Sequence, residues 1–326
     1  MGLVMLTGPL LIPADSIRQT GKAADFATSD SRFTTIDFPG TDGLRIHYLQ
    51  AESAPRVQPC EQNFILLHGF TLNAWSWRDV MPLFAEYGRV VAYDQVPYGL
   101  SSKLPRGQWQ GPSPYTQEAA VEQLWALMAA WGMEQATLVG NSAGGTLALN
   151  AVLDRPSRVQ SLLLVDPWII IKRPTFPEFL VETPHMRRLS LALARFLGNE
   201  AKLLQWSYSQ PQRISAKRLQ LARKHTRVAN WDLAWGALFN QSLASSIDIF
   251  GRLANIRQPT LVVQGQDDRL VPVADTRRAF ERLPDAKLNV LAGCGHLPQE
   301  ECDDAFIQAV RPWLEQQRQS QCAPGY

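Results

Sequence analysis

The chain has 326 residues, enough to bury a large core in one or two domains. Hydrophobic residues make up 45% of it, charged residues 19%, and the formal net charge is +2. That composition belongs to a soluble globular protein and makes no case for a nucleic-acid or acidic partner. Cys60, Cys294, Cys302 and Cys322 show no CxxC spacing, and a chain this long needs no disulfide staples. The expectation is four free thiols in a reduced, cytoplasmic protein.

Residues 1–13 read MGLVMLTGPLLIP and are mostly apolar. The run is shorter than the ~18 residues needed to span a membrane. No basic residue precedes Arg18, as a signal peptide would require, and Leu6 breaks the myristoylation pattern. Residues 1–30 are read as a non-catalytic arm that lies on the core or on a membrane surface.

Two strand-like runs, 32–38 and 44–49, flank Pro39-Gly40-Thr41-Asp42-Gly43 and predict a hairpin. Further short apolar runs follow at 64–67, 90–93, 136–139, 161–165, 260–263 and 287–291. They have little polar alternation, as strands covered on both faces should. Helical patterns lie between them. Val121, Leu124, Trp125, Met128 and Trp131 recur at helical spacing, with Gly132 as a terminator. Phe306, Val310, Trp313 and Leu314 repeat the pattern, although Pro312 inside it predicts a kink. Residues 168–250 carry no buried-strand signal. They predict a helical lid inserted between core segments 31–167 and 251–318, with 319–326 as a tail.

Gly140-Asn141-Ser142-Ala143-Gly144 matches G-x-S-x-G. With Gly near ~7% of residues, chance gives that pattern roughly one time in ten in a chain this long, so context must carry it. An apolar run ends directly before it and a helix-like run starts directly after it. A strand, sharp turn and helix present the serine in a strained, exposed elbow. A serine hydroxyl needs a base to become a nucleophile. Of the five histidines, His47, His68, His185, His225 and His296, only His296 follows the last predicted strand without serving another motif. The loop Gly265-Gln266-Asp267-Asp268 follows an earlier strand and supplies an acid to orient the base. Asp166, in Val165-Asp166-Pro167, also ends a strand and stays open as a rival acid.

From about residue 32 to 318 the chain resembles the α/β-hydrolase superfamily. G-x-x-D-x-x-x-P fits Gly265, Asp268 and Pro272, and so selects Asp268 over Asp267. G-H-x-P-x-x-E fits Gly295, His296, Pro298 and Glu301. His68-Gly69-Phe70 resembles the oxyanion loop. Asp94 to Ser101 resembles D-x-x-G-x-G-x-S, with Pro97 replacing the first glycine. The resemblance implies an α/β-hydrolase fold: a mostly parallel central sheet with helices on both faces and a helical lid. It implies Ser142 as nucleophile, His296 as base, Asp268 as acid, and the N–H groups of Phe70 and Ala143 as the oxyanion hole. His68 and Asp94 are expected to structure their own loops. Neither a metal nor another cofactor is expected, because there is no HExxH, no His/Cys ligand cluster and no G-x-G-x-x-G after a strand.

The expected activity is hydrolysis of an ester or related acyl bond on a small, partly apolar molecule. Carbon–carbon hydrolases of ring-fission products, peptidases and perhydrolases use the same triad. Asn141 is common in the carbon–carbon group, but Leu297 stands where that group usually carries an aromatic residue. A ligand-binding receptor on this fold is the alternative outside enzymology. Trp206, Trp231 and Trp235 in the lid, with Trp168 at its entry, are read as packing before a substrate cage. From Lys172 to Arg227 there are twelve Lys/Arg against Glu178, Glu182 and Glu200, a local charge of 12 − 3 = +9. Most such charges face water. The sharper expectation is contact with an anionic substrate or membrane surface, with Lys217, Arg218 and Lys224 interleaved with Leu219 and Leu221.

Overall fold

A tight turn joins β1 (Arg32–Ile36) to β2 (Leu44–Ala51), and the two pair antiparallel with Ile36 opposite Leu44. This is the hairpin that the turn residues predict. The computed structural model describes residues 8–16, 21–52, 62–170, 175–245 and 248–322. Six further strands follow: β3 (Gln62–Leu67), β4 (Gly88–Tyr93), β5 (Ala136–Asn141), β6 (Val159–Val165), β7 (Thr260–Gly265) and β8 (Ala286–Leu291). The eight form one sheet in the order β1-β2-β4-β3-β5-β6-β7-β8. β2 runs antiparallel to β4, and every pairing from β4 to β8 is parallel.

Successive side chains of a strand point to opposite faces, so each central strand feeds two cores. Ile65, Leu67, Leu138, Leu162 and Leu164 enter one. It is closed by α2 (Gln117–Ala130) and α3 (Ala143–Asp154) through Leu124, Met128, Leu147 and Ala151. Phe64, Leu66, Val139, Leu163 and Val165 enter the other. That face is closed by α1 (Met81–Ala85) and the C-terminal helix through Phe84, Phe306, Val310 and Leu314. Thr116 caps α2 by accepting from the Ala119 N–H at 3.0 Å, and Gly132 ends it at φ +67°. The C-terminal helix, Asp303–Cys322, runs through Pro312 and past residue 318.

Among the described residues no strand lies between β6 and β7. That interval holds α4 (Glu178–Val181), α5 (Pro184–Glu200), α6 (Lys202–Ser207), α7 (Ala216–Ala222) and α8 (Trp231–Ala244). α5 and α8 pack through Ala194, Leu197, Trp231, Trp235 and Phe239, and Tyr98 of the core joins that cluster. Arg195, also buried, donates to Asp232 Oδ2 at 3.0 Å and to the Pro13 and Asp15 carbonyls at 2.9 and 2.7 Å. The described part of the N-terminal arm is therefore hydrogen-bonded to α5. The outer face of α5 leaves Leu189, Leu193 and Phe196 exposed. No described helix is long and apolar enough to cross a membrane. Three further helices complete the core: α9 (Val273–Phe280), α10 (Pro298–Glu301) and α11, the C-terminal helix already described.

The expectation of free thiols fails. Cys294 and Cys302 form a disulfide, and Cys322 is disulfide-bonded as well. Cys60 lies outside the described residues. CxxC spacing was the wrong test: the loop after β8 folds back on α10 and brings two cysteines eight residues apart to a Cα separation of 6.1 Å, within the range a disulfide can bridge.

Candidate active site

β5 turns into α3 within a single residue. Ser142 sits in that turn at φ 53°, ψ −117°, a conformation that non-glycine residues rarely hold and that costs roughly 1–3 kcal/mol. The turn closes because Gly140 and Gly144, two residues to either side, have no side chains. A Cβ on Gly140 would lie 2.5 Å from the Gly144 carbonyl oxygen, and one on Gly144 would lie 2.2 Å from that of Leu67. The Ser142 N–H donates to the Val165 carbonyl at 2.9 Å, which fastens the elbow to β6.

His296 follows β8 and is buried. Its Nδ1 lies 2.7 Å from Asp268 Oδ2. Asp268 Oδ1 accepts the N–H groups of Leu270 and Val271 at 2.7 and 3.0 Å. Burial pushes the Asp268 carboxyl up, but the hydrogen bond and charge interaction with His296 outweigh it and hold the carboxyl low. Of the three acidic candidates, the structure gives His296 to Asp268. Asp267 is exposed, and Asp166 reaches Gln264 and the Gly265 N–H instead. Asn141 donates to the His296 carbonyl at 3.0 Å, so the strand that carries Ser142 also holds the histidine loop.

His68 donates from Nδ1 to the Gly69 carbonyl at 2.8 Å, and its Nε2 accepts the Gln95 N–H at 3.0 Å. That pairing fixes the tautomer. Burial lowers its pKa, which suits a neutral ring that shapes a loop. Asp94 accepts the N–H groups of Ala74 and Leu100 and the His47 ring, each at 2.7 Å. Both residues are used as the loop motifs lead one to expect. Pro97 follows a cis peptide bond, and its carbonyl accepts the Trp235 indole N–H at 3.2 Å.

Ser142 and His296 line one cavity of about 420 Å³. Gly69, Phe70 and Ala143 share its wall with them. Leu203, Ser207 and Leu238 of the helical interval roof it, and Trp168 lines it too. Among the described residues that line it there is no Lys, Arg, Asp or Glu. Trp231 and Trp235 are packing residues, with Trp235 stacked on the buried His225 at 4.2 Å, while Trp206 is exposed. His225 is pushed down to about 3, chiefly by burial.

Residues 62–303 match the family described as alpha/beta hydrolase fold. The chain belongs to that family. A 2-hydroxy-6-oxo-6-phenylhexa-2,4-dienoate hydrolase of Burkholderia cepacia is 29% identical over 306 residues, 88% of this chain and 97% of that one. A 2-hydroxy-6-oxononadienedioate/2-hydroxy-6-oxononatrienedioate hydrolase of Comamonas testosteroni is 28% identical over 88% of this chain and 97% of its own length. Among solved structures, a thermophilic esterase of Thermogutta terrifontis superposes with a TM-score of 0.68 at 21% identity, over 88% of this chain and 99% of that one. The protein is a hydrolase.

Two adjacent acidic residues of this hydrolase, Glu301 and Glu300, tie the histidine loop and α10 to the helical interval. Glu301 accepts from the Gly295 N–H at 2.8 Å, the Ser209 N–H and hydroxyl at 2.9 and 2.8 Å, and the Gln210 N–H at 2.8 Å. Glu300 takes both arms of the Arg218 guanidinium at 2.6 and 2.7 Å, and also the Tyr208 hydroxyl and Ser76. The first is the glutamate of the G-H-x-P-x-x-E pattern. The second had no sequence signal, because its partner is 82 residues away. Arg218 is thus buried in an ion pair, and Lys224 donates to the Phe26 carbonyl. Leu221 packs inward. Of the basic residues singled out in that stretch, only Lys217 is exposed.

Glu301→Gln should leave at least one of these donors without an acceptor and destabilise the protein by about 1–3 kcal/mol in urea denaturation. Amide exchange at 293–297 should accelerate more than elsewhere. Burial pushes the Asp94 carboxyl up, but the charge and hydrogen bond of His47 prevail and hold it at about 2, against an ordinary 3.8. A depressed carboxyl stabilises the fold above its unfolded value, and that contribution disappears as pH falls through the folded value. Denaturation at stepped pH should therefore lose roughly 2 kcal/mol from this group between pH 4 and 2. Asp94→Asn should flatten that slope.

Proposed function

We propose that this hydrolase cleaves an uncharged, largely apolar ester through an acyl-serine intermediate on Ser142. One observation carries the reading: Ser142 and His296 open onto a cavity whose lining, among the described residues, has no acidic residue, lysine or arginine. His296 Nε2 takes the Ser142 Oγ proton as Oγ attacks the carbonyl carbon. The tetrahedral oxyanion is met by the N–H groups of Phe70 and Ala143. Ala143 is the first residue of α3, and N–H groups in a helix's first turn have no intrahelical acceptor. Each such donor contributes on the order of 3 kcal/mol at the transition state. His296 then passes the proton to the departing alkoxide, and water repeats the sequence to release the acid. Asp268 keeps Nδ1 protonated and stabilises the imidazolium. The roof of helices keeps bulk water out while the acyl group is bound.

The curated relatives favour a second reading, carbon–carbon cleavage of a ring-fission dienoate on the same residues. A dienoate carries a carboxylate, and a buried anion needs a charged partner or several hydrogen-bond donors. Among the described residues the wall offers no cation to pair with that carboxylate, and this and Leu297 beside His296 weigh toward the ester; Gln95, Gln117 and Gln123 on the wall are the donors a dienoate would use.

Ser142→Ala should lower kcat by about 10⁶ and abolish labelling by a fluorophosphonate. Asp268→Asn should cost about 10⁴ and Asp267→Asn far less. Comparison of kcat/KM for a neutral aryl ester series and for a phenyl-substituted dienoate decides between the two readings. Preference for the dienoate by a hundredfold or more would replace the ester assignment.

A further inference from the structure

Behind the Asp268–His296 pair lies a second carboxyl that the hydrolytic scheme does not use. Asp166 follows β6, is fully buried, and is held at φ 45°, in the left-handed region. Its Oδ1 accepts the Gly265 N–H and Gln264 Nε2, both at 2.8 Å. Its Oδ2 is buried and has neither a hydrogen-bond donor nor a salt-bridge cation. Gln264 Nε2 also lies 3.2 Å from Asp268 Oδ2, so one amide spans both acids. The direction of that amide is fixed, because the Thr276 hydroxyl donates to Gln264 Oε1 at 2.6 Å. Ligand atoms of Asp166, Asp268 and His296 lie within 4.8 Å of one another.

Two carboxylates this close in a dry site cannot both ionise cheaply. Asp268 has His296 and two backbone N–H groups to stabilise its charge. Asp166 has an oxygen with nothing to accept from. We propose that Asp166 is held as a neutral carboxylic acid whose Oδ2–H donates to Asp268, making it a proton-bearing positioning residue behind His296. Burial first, and then the charge of Asp268 and a hydrogen bond to it, drive the Asp166 carboxyl upward. The titratable groups facing it are Asp268, on the loop after β7, and His296, on the loop after β8; Gln264 of β7 faces it without charge. The shared proton draws electron density from Asp268. It thereby weakens the charge that this carboxylate presents to the His296 ring.

The inference rests on the nucleophile reading only for its kinetic arm. Infrared difference spectra of the intact protein at neutral pH should show the C=O stretch of a protonated carboxyl in the wild type, absent from Asp166→Asn. The rate of Ser142 labelling by a fluorophosphonate should be followed against pH. Asp166→Asn keeps a neutral donor and should leave the midpoint in place. Asp166→Leu removes the donor and should raise the midpoint by about one pH unit. No infrared difference overturns the proposal, as does a midpoint lowered by a unit or more in Asp166→Asn, the signature of an ionised Asp166. An unmoved midpoint in a folded Asp166→Leu overturns the positioning role. If that variant does not fold, the infrared arm and Asp166→Asn decide. Absence of labelling in the wild type, with the infrared band present, counts against Ser142 as nucleophile and supports the proton on Asp166.

Discussion

A parallel strand has to become a helix within one residue at Ser142, and much of the local architecture follows from that requirement. The turn leaves no room for a Cβ at Gly140 or Gly144. It also imposes a backbone conformation with its own cost. That cost is offset by neighbours on three strands. β6 accepts the Ser142 N–H, and Asn141 reaches both β6 and the loop after β8. The Leu67 carbonyl at the end of β3 sits against Gly144. The parallel arrangement of β3, β5, β6, β7 and β8 is what brings those strand ends together at one edge.

The sheet was legible because its strands are short apolar runs with little polar alternation, and two-sided burial leaves that signature. All eight strands lie where their runs predict, with ends moved by up to two residues. Asp268 was singled out over Asp267 only through the family resemblance, whose pattern G-x-x-D-x-x-x-P places the acid four residues before Pro272. The pairings that hold the histidine loop were not legible as contacts. Glu300 and Arg218 are joined only by the packing of the helical interval onto the core, and no local pattern encodes a partner 82 residues away. The disulfide escaped for the same reason. Its two cysteines flank a reversal of the chain, and their closeness is a property of that reversal.

Charge is distributed unevenly around the cavity. Among the described residues its lining carries no Lys, Arg, Asp or Glu, yet buried ions crowd behind that lining. Lys103 donates to the Tyr98, Gly99 and Ser101 carbonyls and is pushed down to about 7, chiefly by burial. Asp94, Glu300 and Glu301 each gather several donors from separate segments. These groups fix loops, and breaking one leaves an uncompensated buried partner, which costs more than the intact pair gains. The cavity thus has a largely apolar wall whose shape is maintained by ion pairs and hydrogen bonds set behind it.

The Cys294–Cys302 bond closes a short ring in the chain, and His296 and Glu301 both lie inside that ring. A covalent ring restricts the loop in the unfolded chain as well as in the folded one. The reduced protein must recover the same loop from a broader ensemble, with Glu301 as its main tether. Two preparations of identical sequence, one oxidised and one reduced, are therefore different molecules at this loop. Its order is set by the redox poise of the surroundings as well as by the residues that compose it.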